Sequence, residues 1–378
     1  MKPCEVAVVG AGIVGVATAW ELHARGVDVA LLDRGEVSGA TTGLGEGNVL
    51  CSDKGVGAEL KLTLAGLGVY DELEALLGDR ARIRRKGALV VHHAHGTWAA
   101  EAVRVEHLRA AGAHGYLVDV GDVRAMEPGL TGDFVGASFY PADLQCAPRA
   151  ITRALAEGVP RVHTGVEVQA IAVEHGRVTG LRTSEGVLAC DAAVIAAGPW
   201  SRALAEAAGL ALPLEPRKGQ LVRLAPADRD ERLIRHKVVE AGYLGSVASA
   251  DAGLQVTTVL ETTWEGDVLV GSSRERRGFD VSVDDAVSAA MLEQAFALMP
   301  GLRGLAVDAA WAGLRPWLPD HLPAIGPSGA VAGLWLATGH EGAGVALGPV
   351  TGRLVAQLYA GEAPIVDPAP FSPDRFRP

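Results

Sequence analysis

Gly10, Gly12 and Gly15 directly follow an apolar run, Val6 to Val9, and open a second apolar stretch that begins with Ile13 and Val14. In a G-x-G-x-x-G spacing the first glycine permits a tight turn and the second lets backbone approach a pyrophosphate. The third lets a helix pack closely on a strand, with the helix N-terminus facing phosphate charge. Asp33 ends the next apolar run, where an acid can accept hydrogen bonds from a ribose hydroxyl. This chemistry is dinucleotide binding. The four cysteines, Cys4, Cys51, Cys146 and Cys190, form no C-x-x-C pair and no metal-ligand spacing with histidine, so neither a zinc site nor a disulfide framework is expected.

These residues need a strand, a helix and a second strand to position them. Residues 4–9 read as a buried strand, Ile13 to Ala24 as a helix, and Val27 to Leu32 as a β-branched strand. That unit has the length of a parallel crossover. Gly35 to Asn48 reads as an extended loop and Glu59 to Leu77 as a helix. Further helices are expected over Trp98 to Ala111, Pro148 to Glu157, Asp284 to Met299 and from Gly344 to Tyr359. Strands are expected over Ala88–Val91, Val166–Val173, Val178–Thr183, Val194–Ala197, Gln220–Leu224, Val268–Gly271 and Leu334–Ala337. The fold class is α/β (α+β): a Rossmann-type dinucleotide-binding domain with an interleaved, mainly antiparallel-sheet substrate domain. Residues 1–85, 146–212 and 320–378 are assigned to the first domain, and 86–145 and 213–319 to the second. The Pro-rich tail after Pro364 is expected to be a surface extension.

A chain of 378 residues, 49% of them hydrophobic, is long for a single core, which favours two domains. The formal net charge of −11 disfavours nucleic acid and anionic membranes. There is no uninterrupted apolar run of about 18 residues and no signal-peptide pattern, so no membrane span and a cytoplasmic location are expected. The fingerprint alone does not separate FAD from NAD. Its position at the extreme N-terminus, with a second set of glycine-rich segments far downstream, favours FAD.

Those segments carry a resemblance. Gly39-Ala-Thr-Thr-Gly43-Leu-Gly45-Glu-Gly47-Asn48, Val194-Ile-Ala-Ala-Gly198-Pro-Trp200-Ser201 and Pro216-Arg-Lys-Gly-Gln220 occur in order. They are followed by Gly313-Leu-Arg315-Pro316 with Pro319-Asp320 and Pro323-Ala-Ile-Gly326, and by Thr338-Gly-His-Glu-Gly-Ala-Gly344. Along nearly its full length the chain resembles the D-amino-acid oxidase/glycine oxidase/sarcosine oxidase superfamily of FAD-dependent oxidoreductases. Gly45-Glu-Gly-Asn48, His340-Glu-Gly, Gly271-Ser-Ser-Arg-Glu275 and Phe279-Asp280 look most like the β subunits of multi-subunit opine, D-hydroxyproline and hydrogen-cyanide-forming glycine dehydrogenases.

The resemblance implies FAD, held without a covalent bond because the C-terminal flavin loop has no cysteine. Expected FAD-binding residues are Gly10, Gly12, Ile13, Val14, Gly15, Asp33 and Arg34; then Thr41, Thr42, Glu46, Gly47, Asn48 and Val168; and Ala197, Gly198, Trp200, Gly339, His340, Glu341, Gly342, Ala343 and Gly344. Thr41 and Thr42 would donate to phosphate, and Gly47-Asn48 would lie against the flavin ring. Arg315 is the expected anchor for a substrate carboxylate, since a guanidinium offers two parallel donors. His340 and Glu341 are further catalytic candidates, with packed or solvated polar roles as the alternative. Glu46 would disfavour flavin reduction or attract an amine unless it turns to solvent. Tyr140, Tyr243, Trp264 and Trp317 are candidates for lining an amine pocket.

The implied activity is oxidation of an amino, imino or N-substituted amino acid, with hydride passing from Cα–H to the flavin and the imine then hydrolysed. The expected partners are a small carboxylated amine and a second flavin or iron–sulfur subunit as electron acceptor. The alternatives are a stand-alone oxidase using oxygen and a non-catalytic electron-transfer subunit.

Overall fold

The computed structural model describes residues 1–229 and 233–377. Two eight-stranded sheets organise the chain. In the first, the strands Val162–Thr164, Val29–Asp33, Cys4–Val9, Gly186–Ile195 and Leu334–Thr338 run parallel in that order. Ala324–Pro327 closes one edge antiparallel to Leu334–Thr338. Gly186–Ile195 is long enough to serve two purposes. Its C-terminal half lies in the parallel layer, while its N-terminal half pairs antiparallel with Arg177–Thr183, which pairs in turn with Val168–Glu174.

The parallel strands are buried on both faces, which accounts for their unbroken apolar runs. One face carries the helices Ile13–Ala24, Ala58–Leu77 and Gly344–Ala360, sharing a core with Val6, Leu31 and Val194. Ile13–Ala24 and Gly344–Ala360 cross at close range because glycines face the contact. A Cβ on Gly352 would stand 2.5 Å from the Ala17 backbone carbon, and one on Gly348 would stand 3.1 Å from the Ile13 side chain.

The second sheet has the order Ala306–Trp317, Glu215–Ala225, Val268–Arg274, Gln255–Thr262, Lys237–Glu240, Ala88–His92, Gly136–Tyr140 and Tyr116–Val118. Every neighbouring pair is antiparallel except Lys237–Glu240 with Ala88–His92. Its far face packs on the helix Asp285–Leu298 through Val222, Leu260, Val270 and Met291. That helix is capped by Asp284, whose Oδ1 accepts the Ala286 and Val287 N–H groups.

Most expected elements are present within a few residues of their sequence boundaries. Three differences have physical causes. The stretch read as a loop contains a short helix, Thr41–Leu44, whose turn is made where Gly43 lies against the Ser38 carbonyl. Gly186–Ile195 begins well before the apolar Val194–Ala197 run, because its first residues alternate exposed and buried on the antiparallel ribbon. The Pro-rich tail is not a free extension: Phe371 is buried, and Arg375 donates to both Asp320 and the Leu322 carbonyl. Among the described residues no helix is long and apolar enough to cross a membrane, and no cluster of His, Cys, Asp and Glu could hold a metal ion.

Candidate active site

The C-terminal ends of the parallel strands open into a cavity of about 430 Å³ that runs on to the near face of the second sheet. Crevices of this kind, beyond the carboxyl ends of parallel strands, are where open α/β sheets bind ligands. One end is formed by Val9, Gly10, Gly12, Leu32, Asp33, Arg34 and Val166 to Gln169; the other by Leu221, Tyr243, Arg315 and Glu341.

Gly10 has φ +110°, and a Cβ there would stand 2.4 Å from the Ala196 carbonyl oxygen, so the turn tolerates no side chain. Gly12 is the N-cap of Ile13–Ala24 and supplies no capping side chain. The Ile13 N–H is taken by Thr42 Oγ1 at 3.1 Å, which leaves the Thr42 hydroxyl hydrogen free to donate into the cleft. Asp33 accepts the Ala11 N–H at 2.6 Å and the Gly35 N–H at 2.7 Å, fixing its carboxylate at the cleft edge. Arg34 lies 4.3 Å over the Trp200 ring, giving this end a flat cationic wall. At the far side the helix Gly344–Ala360 also starts without a side-chain cap, and Gly342 to Ala346 line the cleft. Two helix starts whose N-cap residues supply no capping side chain, a side-chain-free turn and a fixed acid fit a dinucleotide with phosphates at one helix and negative charge at the other. Asp33→Asn should weaken dinucleotide affinity roughly tenfold, the loss of one charge-assisted hydrogen bond of about 1.5 kcal/mol. Titration of the apoprotein with the cofactor reads this directly.

Of the residues singled out by sequence, Gly10, Gly12, Ile13, Val14, Asp33, Arg34, Thr41, Thr42, Glu46 and Asn48 all line this cleft. Val168, Ala197, Gly198, Trp200, Arg315, His340, Glu341, Gly342, Ala343 and Gly344 line it too. Three others do not. Gly15 lies under the fingerprint turn, where a Cβ would stand 1.8 Å from the Gly10 carbonyl oxygen. Gly47, expected against the flavin ring, is pressed on Cys146, 1.7 Å from Cβ to carbonyl oxygen. Gly339 takes φ +82° against Leu318. All three are glycine for packing. Thr41 also differs from expectation, since its hydroxyl donates to the Leu314 carbonyl at 2.7 Å instead of pointing at a phosphate.

Arg315 comes from Ala306–Trp317, directly across the ladder from Arg217. Its guanidinium lies over Gly219, where a Cβ would stand 2.0 Å from Nη1; glycine at 219 therefore makes the space the side chain occupies. It donates to the Ser273 carbonyl at 3.1 Å. Burial and the neighbouring Arg274 push its pKa down to about 10.

Glu341 has φ +48° and both its oxygens are engaged, Oε1 by Arg217 at 2.6 Å and Oε2 by His321 at 3.1 Å. Burial works against its charge, but His321, Arg217 and Arg274 outweigh it and hold the pKa below the ordinary carboxylate value. An ionised, doubly held carboxylate orients its partners. His340 is buried, its Nε2 lies 2.9 Å from Thr351 Oγ1, and burial pushes its pKa down to about 3. It is therefore neutral at working pH, and a positively charged His340 has no place in the site.

Glu46 does not turn to solvent. Its Oε1 accepts from Lys237 Nζ at 3.0 Å and its Oε2 from Asn48 at 3.0 Å. Lys237 also lies 3.6 Å from Glu261, which accepts from Lys86 at 3.0 Å. The alternating row Glu46–Lys237–Glu261–Lys86 is buried and close to neutral, so Glu46 presents a compensated charge to the cleft. Of the four aromatics proposed for an amine pocket, Tyr243 lines the cleft. Tyr140 instead bonds Glu101, Trp264 stacks under Arg84 at the surface, and Trp317 is buried with Arg276 over its ring. None of the four cysteines lines the cleft; Cys51 lies 2.9 Å from Asp143, and burial raises its pKa far above the usual thiol range.

The sequence did not point to Lys237, Glu261, Lys86 or Arg274 as a set. Lys237, Glu261 and Arg274 lie on different strands and Lys86 in the turn before Ala88–His92, and no spacing signal joins them. Arg217 and Gly219 belong to the segment 216–220; Gly219 lines the cleft, and Arg217 lies behind Glu341.

Residues 5–358 match the family model described as "DAO: FAD dependent oxidoreductase". The chain is 31% identical to a glycine oxidase of Pseudomonas putida, over 98% of each protein. It is 32% identical to the hydrogen cyanide synthase subunit HcnC of Pseudomonas aeruginosa, over 69% of this chain and 60% of that protein. The crystal structure of glycine oxidase from Geobacillus kaustophilus superposes with a TM-score of 0.89, at 25% identity and over the whole of both chains.

Proposed function

Since the chain belongs to the DAO family of FAD-dependent oxidoreductases, we propose that its cleft oxidises a carboxylated primary or secondary amine, with Arg315 gripping the carboxylate. The observation that carries this reading is a half-buried arginine that lines the cofactor cleft and has no carboxylate partner among the described residues. A guanidinium largely withdrawn from water is normally paired. A bound carboxylate completes this one.

In this reading residues 1–85, 146–212 and 320–378 hold the cofactor, and 86–145 with 213–319 shape the substrate side. FAD, when bound, supplies a two-electron acceptor for the hydride leaving Cα. Arg315 fixes the carboxylate, and through it the direction of the Cα–H bond. Glu341 holds Arg217 on the same sheet face, so the guanidinium row stays ordered before substrate arrives. The start of Gly344–Ala360 offers backbone N–H groups and a positive helix end to charge that develops at the cleft. No side chain is needed as a strong base if the amine arrives neutral. Water then hydrolyses the released imine to an oxo acid and an amine or ammonia. The FAD is held non-covalently, and acid precipitation should release it.

Anaerobic addition of amino acids, imino acids and N-carboxyalkyl amino acids tests the reading. Bleaching of the flavin absorbance by at least one carboxylated amine is expected. A flavin left oxidised by the whole panel would remove the proposal.

The Glu46 and His340-Glu341 segments and the similarity to HcnC favour electron transfer to a second subunit, whereas full-length similarity to glycine oxidase favours oxygen. Substrate-reduced protein is expected to reoxidise faster with an artificial dye than in air-saturated buffer. Rapid peroxide formation, stoichiometric with substrate, would establish the oxygen reading instead.

A further inference from the structure

Three arginines lie on three adjacent strands at the substrate end: Arg315, which lines the cleft, and Arg217 and Arg274 behind it, against the cleft-lining Glu341 and Tyr243. Only Arg217 has an acidic partner, Glu341, among the described residues. Arg274 is 2% exposed. It donates from Nη1 to the Ser246 hydroxyl at 2.7 Å, and its Nε is buried without a partner. Its guanidinium lies 4.4 Å from the centre of the Tyr243 ring, and Tyr243 lines the cleft. The nearby acidic groups are already engaged: Glu46 by Lys237, Glu261 by Lys86 and Lys237, and Glu341 by Arg217 and His321. Arg315 and Arg274 are neighbours with no ion-pair partner of their own among the described residues, and they share the field of Glu341 with Arg217.

One carboxylate can satisfy the donors of one planar fork. A substrate with a single carboxylate on Arg315 would leave Arg274 buried, with an idle donor and no counter-charge. That arrangement is costly and serves no purpose for a small neutral side chain.

We propose that Arg274, framed by Tyr243 and Ser246, is a second anion subsite, and that the preferred substrate is an amine bearing two carboxylates. This rests on the reading of Arg315 as the anchor for the first carboxylate. Arg274 takes the second, which can sit on the amino-acid side chain, as in an acidic amino acid, or on the nitrogen substituent, as in an N-(carboxyalkyl) amino acid. The two guanidiniums hold the ends of the molecule, and the carbon that loses hydride lies between them.

The experiment uses the FAD-loaded protein and matched pairs: each enantiomer of glutamate against the corresponding 2-aminobutyrate, and iminodiacetate against sarcosine. Wild type should favour at least one dicarboxylate over its monocarboxylate partner by tenfold or more in kcat/KM, on the order of one charge-assisted hydrogen bond. The amino-acid and N-substituted pairs show which source supplies the second carboxylate. Arg274→Met should reduce that ratio by at least about tenfold, and Arg274→Lys should keep part of it.

A binding measurement runs in parallel. Succinate and glutarate should perturb the flavin spectrum at lower concentration than acetate and propionate, and Arg274→Met should remove the difference. Flavin content and melting temperature report whether the variant folds. If it does not, the wild-type ratios and the lysine variant still decide. Equal use and equal binding of mono- and dicarboxylates by wild type, or a ratio unmoved by either variant, overturns the second subsite while leaving Arg315 intact. Failure of every carboxylated amine to bleach the flavin overturns the Arg315 reading instead, and the binding measurement then judges Arg274 alone.

Discussion

Arg315→Ala is expected to lower kcat/KM for a carboxylated amine roughly a hundredfold, a loss of about 3 kcal/mol corresponding to two charge-assisted hydrogen bonds. The side chain is ready for this role. It lies over Gly219, holds the Ser273 carbonyl with one nitrogen, and has no acidic partner among the described residues. Arg315→Lys should recover only part of the loss, because an ammonium keeps the charge and gives up the planar fork. Flavin content should be unchanged. The decarboxylated amine separates anchoring from structure, since wild type and variant should differ far less on it. If the variant is equally impaired on both substrates, or loses its FAD, Arg315 is structural.

Lys237→Met is expected to destabilise the protein by about 3 kcal/mol, the usual result of removing one member of a buried ion pair. Lys237 is fully buried between Glu46 and Glu261. Burial works against its ammonium, but Glu261 and Glu46 outweigh it and raise the pKa above the ordinary value. Glu261 shows the counterpart: burial opposes its charge, yet Lys237 and Lys86 hold its pKa down. The signs fix a window. A raised lysine stabilises fully below its unfolded pKa and loses this as pH climbs through the folded value. A depressed carboxylate stabilises above its unfolded pKa and loses this as pH falls through the folded value. The wild-type row therefore contributes most in the neutral range.

In Lys237→Met the stranded carboxylates favour their protonated forms, so the deficit should shrink between about pH 8 and about pH 5. Thermal melts of FAD-loaded wild type and variant across that range measure it. Adding Glu46→Gln should recover part of the loss, because the unpaired charge is then gone. A variant as stable as wild type at neutral pH would show that the row carries no net stabilisation.

The cofactor half of the cleft was legible in the sequence, because the residues that build it are neighbours along the chain. Gly10, Gly12 and Gly15 with Asp33 sit within one strand–helix–strand unit. Close backbone contacts require glycine at 10 and 15, and their spacing exposes the unit. Gly344 and the residues before it start a helix, which a local apolar period reveals. The limits show at Gly47 and Gly339, which look like cofactor-facing glycines in sequence and are packing glycines in space. A missing side chain marks a close approach without saying what approaches.

The substrate half was legible only at Arg315. Lys237, Glu261 and Lys86 meet because antiparallel strands and the turn before Ala88–His92 bring them together, and register across strands leaves no spacing signature along the chain. The sequence also could not show whether Glu46 turns to solvent or is neutralised, because its partner Lys237 is 191 residues away. By itself, then, the sequence determined the dinucleotide-binding unit, the order of the elements and the position of the arginine proposed to hold a carboxylate. These rest on local backbone geometry and on periodicity. The tertiary structure decided which charges are paired and which are left over. Pairing depends on distances between strands that are remote in the chain, and among the described residues it leaves Arg315 and Arg274 without an ion-pair partner.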